Sequence, residues 1–113
     1  MTTVFDWTGR IGDVWAEEWR RTDRSFANLT PHLNVAILAA ASPQTATAID
    51  IGCGAGEATV ATAQALPNAN VTGIDLSPTL IETAQQRAAD QANVRFECAD
   101  ITAAVANHAP VDL

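Results

Sequence analysis

Hydrophobic residues recur every three or four positions along the first part of the chain, which predicts amphipathic helices. This spacing extends from Ile11 to Leu29, and most of the charged residues fall between the apolar positions. A second helix is predicted to follow, with Thr30 as its N-cap and Pro31 in the first helical position. Residues 1–45 are therefore predicted to form an amino-terminal helical cap.

From residue 46 onward, short β-branched runs alternate with alanine-rich helical runs. Strands are predicted in the segments TAIDIGC, NVTGID and NVRFECAD, and Ser77 followed by Pro78 predicts the start of the helix after the second strand. This alternation is typical of parallel strands joined by right-handed crossovers, with helices on both faces of the sheet. We expect the strand order 3-2-1, and VDL at 111–113 to begin a fourth strand beside the first.

The charge balance is strongly acidic and excludes some classes of partner. The chain has 13 acidic residues, six basic residues and no lysine, for a net charge of −7. No basic stripe is available for a phosphate backbone, so nucleic-acid binding is disfavoured. No apolar run approaches the roughly 20 residues that span a bilayer, and the amino terminus lacks the pattern of a signal peptide. We therefore expect a globular, cytoplasmic protein.

The length suggests a part of a larger protein. A chain of 113 residues is short for a complete α/β enzyme domain, so a truncated chain or gene fragment is expected. A fourth strand without a neighbour would expose its peptide groups. If the 113 residues are a natural product, we expect this open sheet edge to pair with a second copy in a homodimer.

Three glycines follow the first predicted strand directly and open the next helix: Gly52, Gly54 and Gly56. Glycine permits a sharp turn and a close approach of the backbone to a ligand. A dinucleotide fingerprint needs glycine at the sixth position from Gly52, where Glu57 stands, and a P-loop needs a lysine. The alternative without a ligand is a tight strand-to-helix turn.

Acidic residues mark the ends of all three predicted strands. Asp50 precedes the glycine loop, Asp75 lies 19 residues after Gly56, and Asp100 holds the equivalent place one strand further out. Ligands of open α/β sheets bind at the carboxyl ends of the strands, and a carboxylate there can accept hydrogen bonds from both ribose hydroxyls. As alternatives, Asp50 could make a local contact, and Asp75 and Asp100 could be solvated strand ends.

The spacing of Asp50 and the three glycines resembles the first motif of class I S-adenosylmethionine-dependent methyltransferases. The strings NVTGIDLSPTLIETA and NVRFECADI are similar to those of the small-molecule members, and the resemblance covers residues 46–113. It implies a truncated α/β Rossmann-like fold, with strand order 3-2-1-(4), and S-adenosylmethionine as the cofactor. Residues 46–113 would then be a partial cofactor-binding domain.

The resemblance also implies roles for individual residues. Asp50 would help to hold the methionyl amino end, Asp75 would bind the ribose, and Asp100 would accept a hydrogen bond from the adenine amino group. Leu76 would border the adenine and Ile101 would pack on its ring. The loop beneath the methionyl and ribose parts would consist of Gly52, Cys53, Gly54 and Gly56.

The function implied is methyl transfer to a small-molecule acceptor, without a metal and with no catalytic residue assigned. The acceptor site of the family lies largely beyond the motifs present here, so this chain is expected to be inactive alone. Two alternatives stay open. One is a non-catalytic, strand-swapped dimeric fragment, and the other is half of a nicotinamide-dependent oxidoreductase, which Glu57 disfavours.

Several other residues receive structural interpretations. Trp15 and Trp19 are interpreted as core packing rather than as a lid over the pocket. The cluster from Arg20 to Arg24 is interpreted as a solvated helix face, with Asp23 paired to Arg20 or Arg24. Cys53 and Cys98 are expected to be buried and to pack as small hydrophobic side chains. No role is assigned to His32 or His108.

Overall fold

The computed structural model describes residues 2–113. Four helices precede a unit in which strands and helices alternate. The elements are α1 Val4–Thr8, α2 Arg10–Glu17, α3 Trp19–Ser25, α4 Thr30–Ala40, β1 Thr47–Ile51, α5 Glu57–Ala65, β2 Asn70–Asp75, α6 Pro78–Arg87, β3 Val94–Cys98 and α7 Ile101–Asn107. The predicted alternation of strands and helices after residue 46 is confirmed. Within residues 2–113, none of the helices has both the length and the apolar character needed to cross a membrane.

The three strands form one parallel sheet in the order β1-β2-β3. Ile51 is paired with Ile74, and Asp75 is paired with Cys98. The carboxyl ends of the strands therefore lie side by side along one edge. This register brings the glycine loop, Asp75 and the start of α7 to the same end of the sheet.

The last residues run parallel to β1 along its free edge. The Ile49 N–H donates to the Leu113 carbonyl at 2.9 Å, and the Leu113 N–H donates to the Thr47 carbonyl at 3.2 Å. The Asp112 carboxylate accepts from the Ala46 N–H at 2.8 Å and from the Thr47 N–H at 3.1 Å. The predicted order 3-2-1 is confirmed; Asp112 and Leu113 lie beside β1 as expected, but the described sheet has three strands and residues 111–113 are not among them.

The predicted amino-terminal helix is divided. One helix was expected from Ile11 to Leu29, but the chain forms α2 and α3 with a break at Glu18, and α1 precedes them. Thr30 is the first residue of α4 rather than its N-cap, because the N–H groups of Leu29 and Thr30 both donate to the Phe26 carbonyl at 2.8 Å. The backbone is already helical at Leu29, whereas a capping side chain needs an extended residue.

The helix α2 packs against the start of α6 through a glycine. Gly12 is buried, and a Cβ added there would lie 2.2 Å from the Trp7 carbonyl oxygen and 2.3 Å from Ser77 Oγ. Asp13 Oδ1 accepts a hydrogen bond from Thr79 Oγ1 at 2.9 Å in the same contact. Ser77 caps α6 as predicted, because its Oγ accepts from the Leu80 N–H at 3.2 Å. This close approach holds α2 and Trp7 of α1 beside the start of α6.

Candidate functional site

The glycine loop between β1 and α5 leaves an open cradle. Gly52 and Gly54 have φ values of 69° and 55°, in the left-handed region, and a Cβ at either position would meet nothing within 4 Å. Gly56 also has a left-handed φ, of 86°, but its Cβ would lie 3.0 Å from Phe96 and 3.1 Å from Ala84. Gly52 and Gly54 therefore face open space that a ligand can enter, whereas Gly56 allows the loop to pack on β3 and α6.

Asp75 joins the glycine loop to the start of α6. One carboxylate oxygen accepts from the Gly54 N–H at 2.9 Å, and the other accepts from the Ser77 N–H at 3.0 Å. Each carboxylate oxygen has two lone pairs, so each can accept one more hydrogen bond. The side chain is half-buried at the end of β2, where the sequence predicted a ribose-binding carboxylate.

Asp50 points away from the open side of the loop. Its Oδ2 accepts from Thr59 Oγ1 of α5 at 2.7 Å, which is the local contact considered as an alternative. Burial raises the pKa of the Asp50 carboxyl, the Thr59 hydrogen bond partly offsets this, and the negative charge of Asp75 raises the pKa further. No arginine or histidine of residues 2–113 forms an ion pair with Asp50.

Substituting Asp50 with asparagine is expected to stabilise the fold at pH 7. Because folding raises the pKa of the Asp50 carboxyl, the ionised carboxylate destabilises the folded protein when the pH is above the folded-state pKa. This destabilisation disappears as the pH falls through the folded-state pKa toward the unfolded value of 3.8. Asp50→Asn keeps an oxygen acceptor for Thr59, so we expect a gain on the order of 1 kcal/mol at pH 7.

Urea denaturation between pH 7 and pH 3.5 measures this effect, with Asp90→Asn on the exposed end of the turn after α6 as control. The Asp50→Asn gain is expected to shrink at low pH. A gain that is independent of pH, or a loss of stability at pH 7, would contradict the assigned cost of ionisation.

The two cysteines differ in their surroundings. Cys53 is buried as expected, and burial raises the pKa of its thiol well above the usual range, with the charges of Asp50 and Asp75 acting in the same direction. Cys53 is therefore a poor nucleophile. The expectation for Cys98 is wrong, because this residue is exposed at the end of β3, the edge strand of the sheet.

A cavity of about 340 Å³ lies at the carboxyl ends of the strands. Five of the predicted site residues line this cavity. Asp50 does not line it, and it does not line the second cavity, which is described in the next paragraph. Asp100 accepts from the Thr102 N–H at 2.9 Å as the N-cap of α7, and hydrogen bonds to Thr102 lower the pKa of its carboxyl. The predicted residues on the cavity wall are Gly52, Asp75, Leu76, Asp100 and Ile101.

A second cavity, the aromatic cavity, lies between the amino-terminal helices and the glycine loop. Its volume is about 460 Å³, and all three tryptophans of the chain line it. Trp7, Gly52 and Asp75 line both cavities, so the two adjoin. The wall also includes Phe26, Leu29 and Leu33 from the helical region, Cys53, Gly54 and Ala55 from the glycine loop, and Glu57 and Ala58 from the first turn of α5.

The interpretation of Trp15 as core packing is wrong. Trp15 is 45% exposed and faces the aromatic cavity, with its ring centroid 6.3 Å from that of Trp7. The buried residues of α2 are Gly12 and Ala16, and their packing turns Trp15 to the side. Trp19 is half-buried and lies under an arginine rather than in the core.

Arg87, at the end of α6, ties α3 to the glycine loop. Its guanidinium donates to Asp23 at 2.7 Å, to Glu57 at 2.8 Å and to the Ala55 carbonyl at 2.9 Å. The guanidinium carbon also lies 3.9 Å from the centre of the Trp19 ring, a distance favourable for a cation–π interaction. The predicted pairing of Asp23 with Arg20 or Arg24 is therefore wrong, because Asp23 turns inward to Arg87.

Sequence reasoning did not single out Arg87. A signal was available, because only two basic side chains, Arg87 and Arg95, occur after residue 25 in a strongly acidic chain. Arg87 is also the last residue of its helix, where a cation interacts favourably with the helix dipole.

A larger cavity, of about 960 Å³, lies between the sheet and the segment from Asn107 to Val111. It touches neither the glycine loop nor Asp75. A large volume alone does not connect this cavity with the predicted site residues.

Comparison with known proteins identifies the family of the chain. Residues 48–113 match the family model of a methyltransferase domain. Malonyl-[acyl-carrier protein] O-methyltransferase of Anoxybacillus flavithermus is 37% identical over 76 residues, which cover 67% of this chain and 29% of that protein. The chain thus spans less than a third of the length of this relative.

Solved structures share the fold. Magnesium protoporphyrin IX methyltransferase of Synechocystis PCC 6803, with bound SAH, is 26% identical with a TM-score of 0.55, and the match covers 66% of this chain and 35% of that chain. The plantazolicin methyltransferase BpumL is 22% identical with a TM-score of 0.56, covering 88% of this chain and 42% of its own, and shows likeness of fold alone. The Rossmann-like fold predicted for residues 46–113 is thereby confirmed. The chain belongs to the methyltransferase domain family, whose model its residues 48–113 match.

Proposed function

We propose that the cavity of about 340 Å³ at the carboxyl ends of the strands, here called the donor cavity, binds S-adenosylmethionine together with the glycine loop, for transfer of its methyl group to a small-molecule acceptor. The observation that carries this proposal is the meeting of Gly52, Asp75, Leu76, Asp100 and Ile101 around one cavity. The family match supports the same donor, and so does the SAH bound to the Synechocystis relative.

The chemistry of the wall fits an adenosine group. Asp75 retains one acceptor site on each carboxylate oxygen, which suits the two adjacent ribose hydroxyls. Asp100 is exposed and ionised, and can accept from the adenine amino group, while Leu76 and Ile101 offer apolar surface to the ring. The adenosine part would occupy the donor cavity in this arrangement.

The glycine loop fits the methionyl part. A side chain at Gly52 or Gly54 would fill the space in which the ligand is proposed to lie. The first helical turn of α5 follows the loop and presents free N–H groups, which favour a carboxylate. Asp50, on the other side of the loop, adds a negative charge that favours the cationic end of the ligand.

The bound cofactor supplies an activated methyl group on a positively charged sulfur. The tasks of the chain are to hold this group beside the acceptor and to exclude water. Alignment of two reactants can lower a barrier by about 7–11 kcal/mol in favourable cases. Arg87 contributes indirectly, because it holds α3 and the Ala55 carbonyl in place at the mouth of the loop.

Calorimetric titration of the 113-residue chain with S-adenosylmethionine tests the proposal. We expect one site per chain, competition by S-adenosylhomocysteine, and no heat from reduced nicotinamide dinucleotide. Absence of S-adenosylmethionine binding would contradict the proposal, and binding of the nicotinamide instead would favour the oxidoreductase alternative. Turnover by this chain alone is not expected, because it covers only 29% of the Anoxybacillus relative.

A further inference from the structure

Arg87, Asp23 and Glu57 form a cluster of charges at the mouth of the glycine loop, here called the charge cluster. The Arg87 guanidinium donates to both carboxylates, and its side chain is only 18% exposed. The Glu57 side chain is 47% exposed and lines the aromatic cavity. Two carboxylates and one guanidinium leave one formal negative charge on the cluster at pH 7.

Glu57 stands at a point where a second carboxylate is proposed to bind. It is the first residue of α5, whose N-cap, Gly56, has no side chain to accept from the N–H groups of the first turn. The methionyl carboxylate is proposed to lie against these N–H groups. A carboxylate on residue 57 repels another negative charge at the same helix end. Glu57 without a partner would therefore oppose the binding of the proposed ligand.

Arg87 offsets this repulsion. It lines neither the donor cavity nor the aromatic cavity, so it acts through the groups that it holds, which are Glu57 and the Ala55 carbonyl. We infer that Arg87 is a positioning residue that lowers the negative charge around Glu57, so that the methionyl end of the site accepts a carboxylate. This inference rests on the proposed function, because it concerns the ligand proposed there.

Arg20 is a second cation near this site, but its contacts differ. Its guanidinium carbon lies 4.4 Å from the centre of the Trp19 ring, and the residue is exposed. Within residues 2–113, Arg20 forms no ion pair. Solvent screens an exposed charge more strongly than a half-buried one. Arg20→Met is therefore the matched control for Arg87→Met, because it removes one positive charge beside the same tryptophan.

Two ligands that differ in the carboxylate test the inference. Decarboxylated S-adenosylmethionine keeps the adenosine, sulfonium and ammonium groups of S-adenosylmethionine and lacks only the carboxylate. Calorimetry at pH 7 and constant ionic strength gives the ratio of the Kd of the decarboxylated compound to the Kd of S-adenosylmethionine. A variant that only loosens the loop weakens both compounds alike and leaves this ratio unchanged, whereas a change of charge alters the ratio.

Three variants change the charge of the cluster in steps. Arg87→Met leaves two carboxylates, and the Kd ratio is expected to fall at least about fivefold. Glu57→Gln leaves one carboxylate with the guanidinium, and the ratio is expected to rise about threefold. The double variant leaves one carboxylate, so the ratio is expected to return to within about twofold of that of the unsubstituted chain. This recovery cannot come from the hydrogen bonds of Arg87, because the double variant lacks them.

Each result has a definite consequence. Glu57→Gln alters an exposed side chain, so its ratio decides the question even if Arg87→Met does not fold; an unchanged ratio would overturn the inference. A double variant with a ratio as low as that of Arg87→Met would also overturn it, and an equal fall in Arg20→Met would overturn the assignment to Arg87. If the unsubstituted chain bound neither compound, the proposed function itself would be contradicted, and this inference with it.

Discussion

Replacing Asp75 with alanine is expected to weaken S-adenosylmethionine binding at least about a hundredfold. The proposed ribose contacts are two hydrogen bonds to a charged acceptor, each worth about 1.5–3 kcal/mol. The substitution also leaves the Gly54 and Ser77 N–H groups without their acceptor, so the loop loses its anchor to α6. The dissociation constant, measured by calorimetry at constant ionic strength, checks this expectation.

Two further variants separate the ribose contact from general loss of charge. Asp75→Asn keeps one oxygen but places an amide N–H₂ opposite a backbone donor, so an intermediate loss of affinity is expected. Asp90→Ala removes an exposed carboxylate away from both cavities and should change affinity by less than about twofold. If Asp75→Ala remains folded by circular dichroism and binds within about threefold of the unsubstituted chain, the assignment of Asp75 to the ribose is wrong.

Gly12→Ala is expected to destabilise the protein by about 2 kcal/mol or more. In an exposed helix interior, alanine is more favourable than glycine by about 1 kcal/mol. Here the added methyl group would overlap the Trp7 carbonyl oxygen and Ser77 Oγ, and a backbone oxygen and a buried N-cap have little freedom to move. The helix α2 must therefore shift away from α6, which also moves Trp15 and opens the aromatic cavity.

Gly9→Ala is the control for this effect. Its Cβ would lie 3.1 Å from the Phe5 carbonyl, which is tight but not an overlap, so a change below about 1 kcal/mol is expected. Urea denaturation measures both variants, and the Trp15 indole signal reports whether α2 has shifted. A Gly12→Ala chain that is as stable as the unsubstituted one would show that α2 does not depend on this close contact.

Local signals in the chain were sufficient to predict the order of strands and helices after residue 46. β-branched runs, the Ser77–Pro78 helix start and the glycine loop act through neighbouring dihedral angles and hydrogen bonds. The place of Asp75 and Asp100 at one edge also followed from the sequence, since parallel strands end together. The fold and the meeting of Gly52, Asp75 and Asp100 at one edge could be predicted on this basis, whereas Leu76 and Ile101 were implied only by the resemblance to the methyltransferase family.

Long-range packing determined where the amino-terminal helices break and which partners the long side chains contact. The break at Glu18, the turn of Trp15 toward the glycine loop, and the pairing of Asp23 with Arg87 all depend on contacts between residues far apart in the sequence. Helical periodicity shows which residues share a face, but not which partner that face meets. Asp50 is a further example, because alternation along β1 and the position of Thr59 direct its carboxylate to α5 rather than to the cavity. These arrangements minimise the free energy of the whole folded chain. Local propensities carry no information about contacts between residues far apart in the sequence.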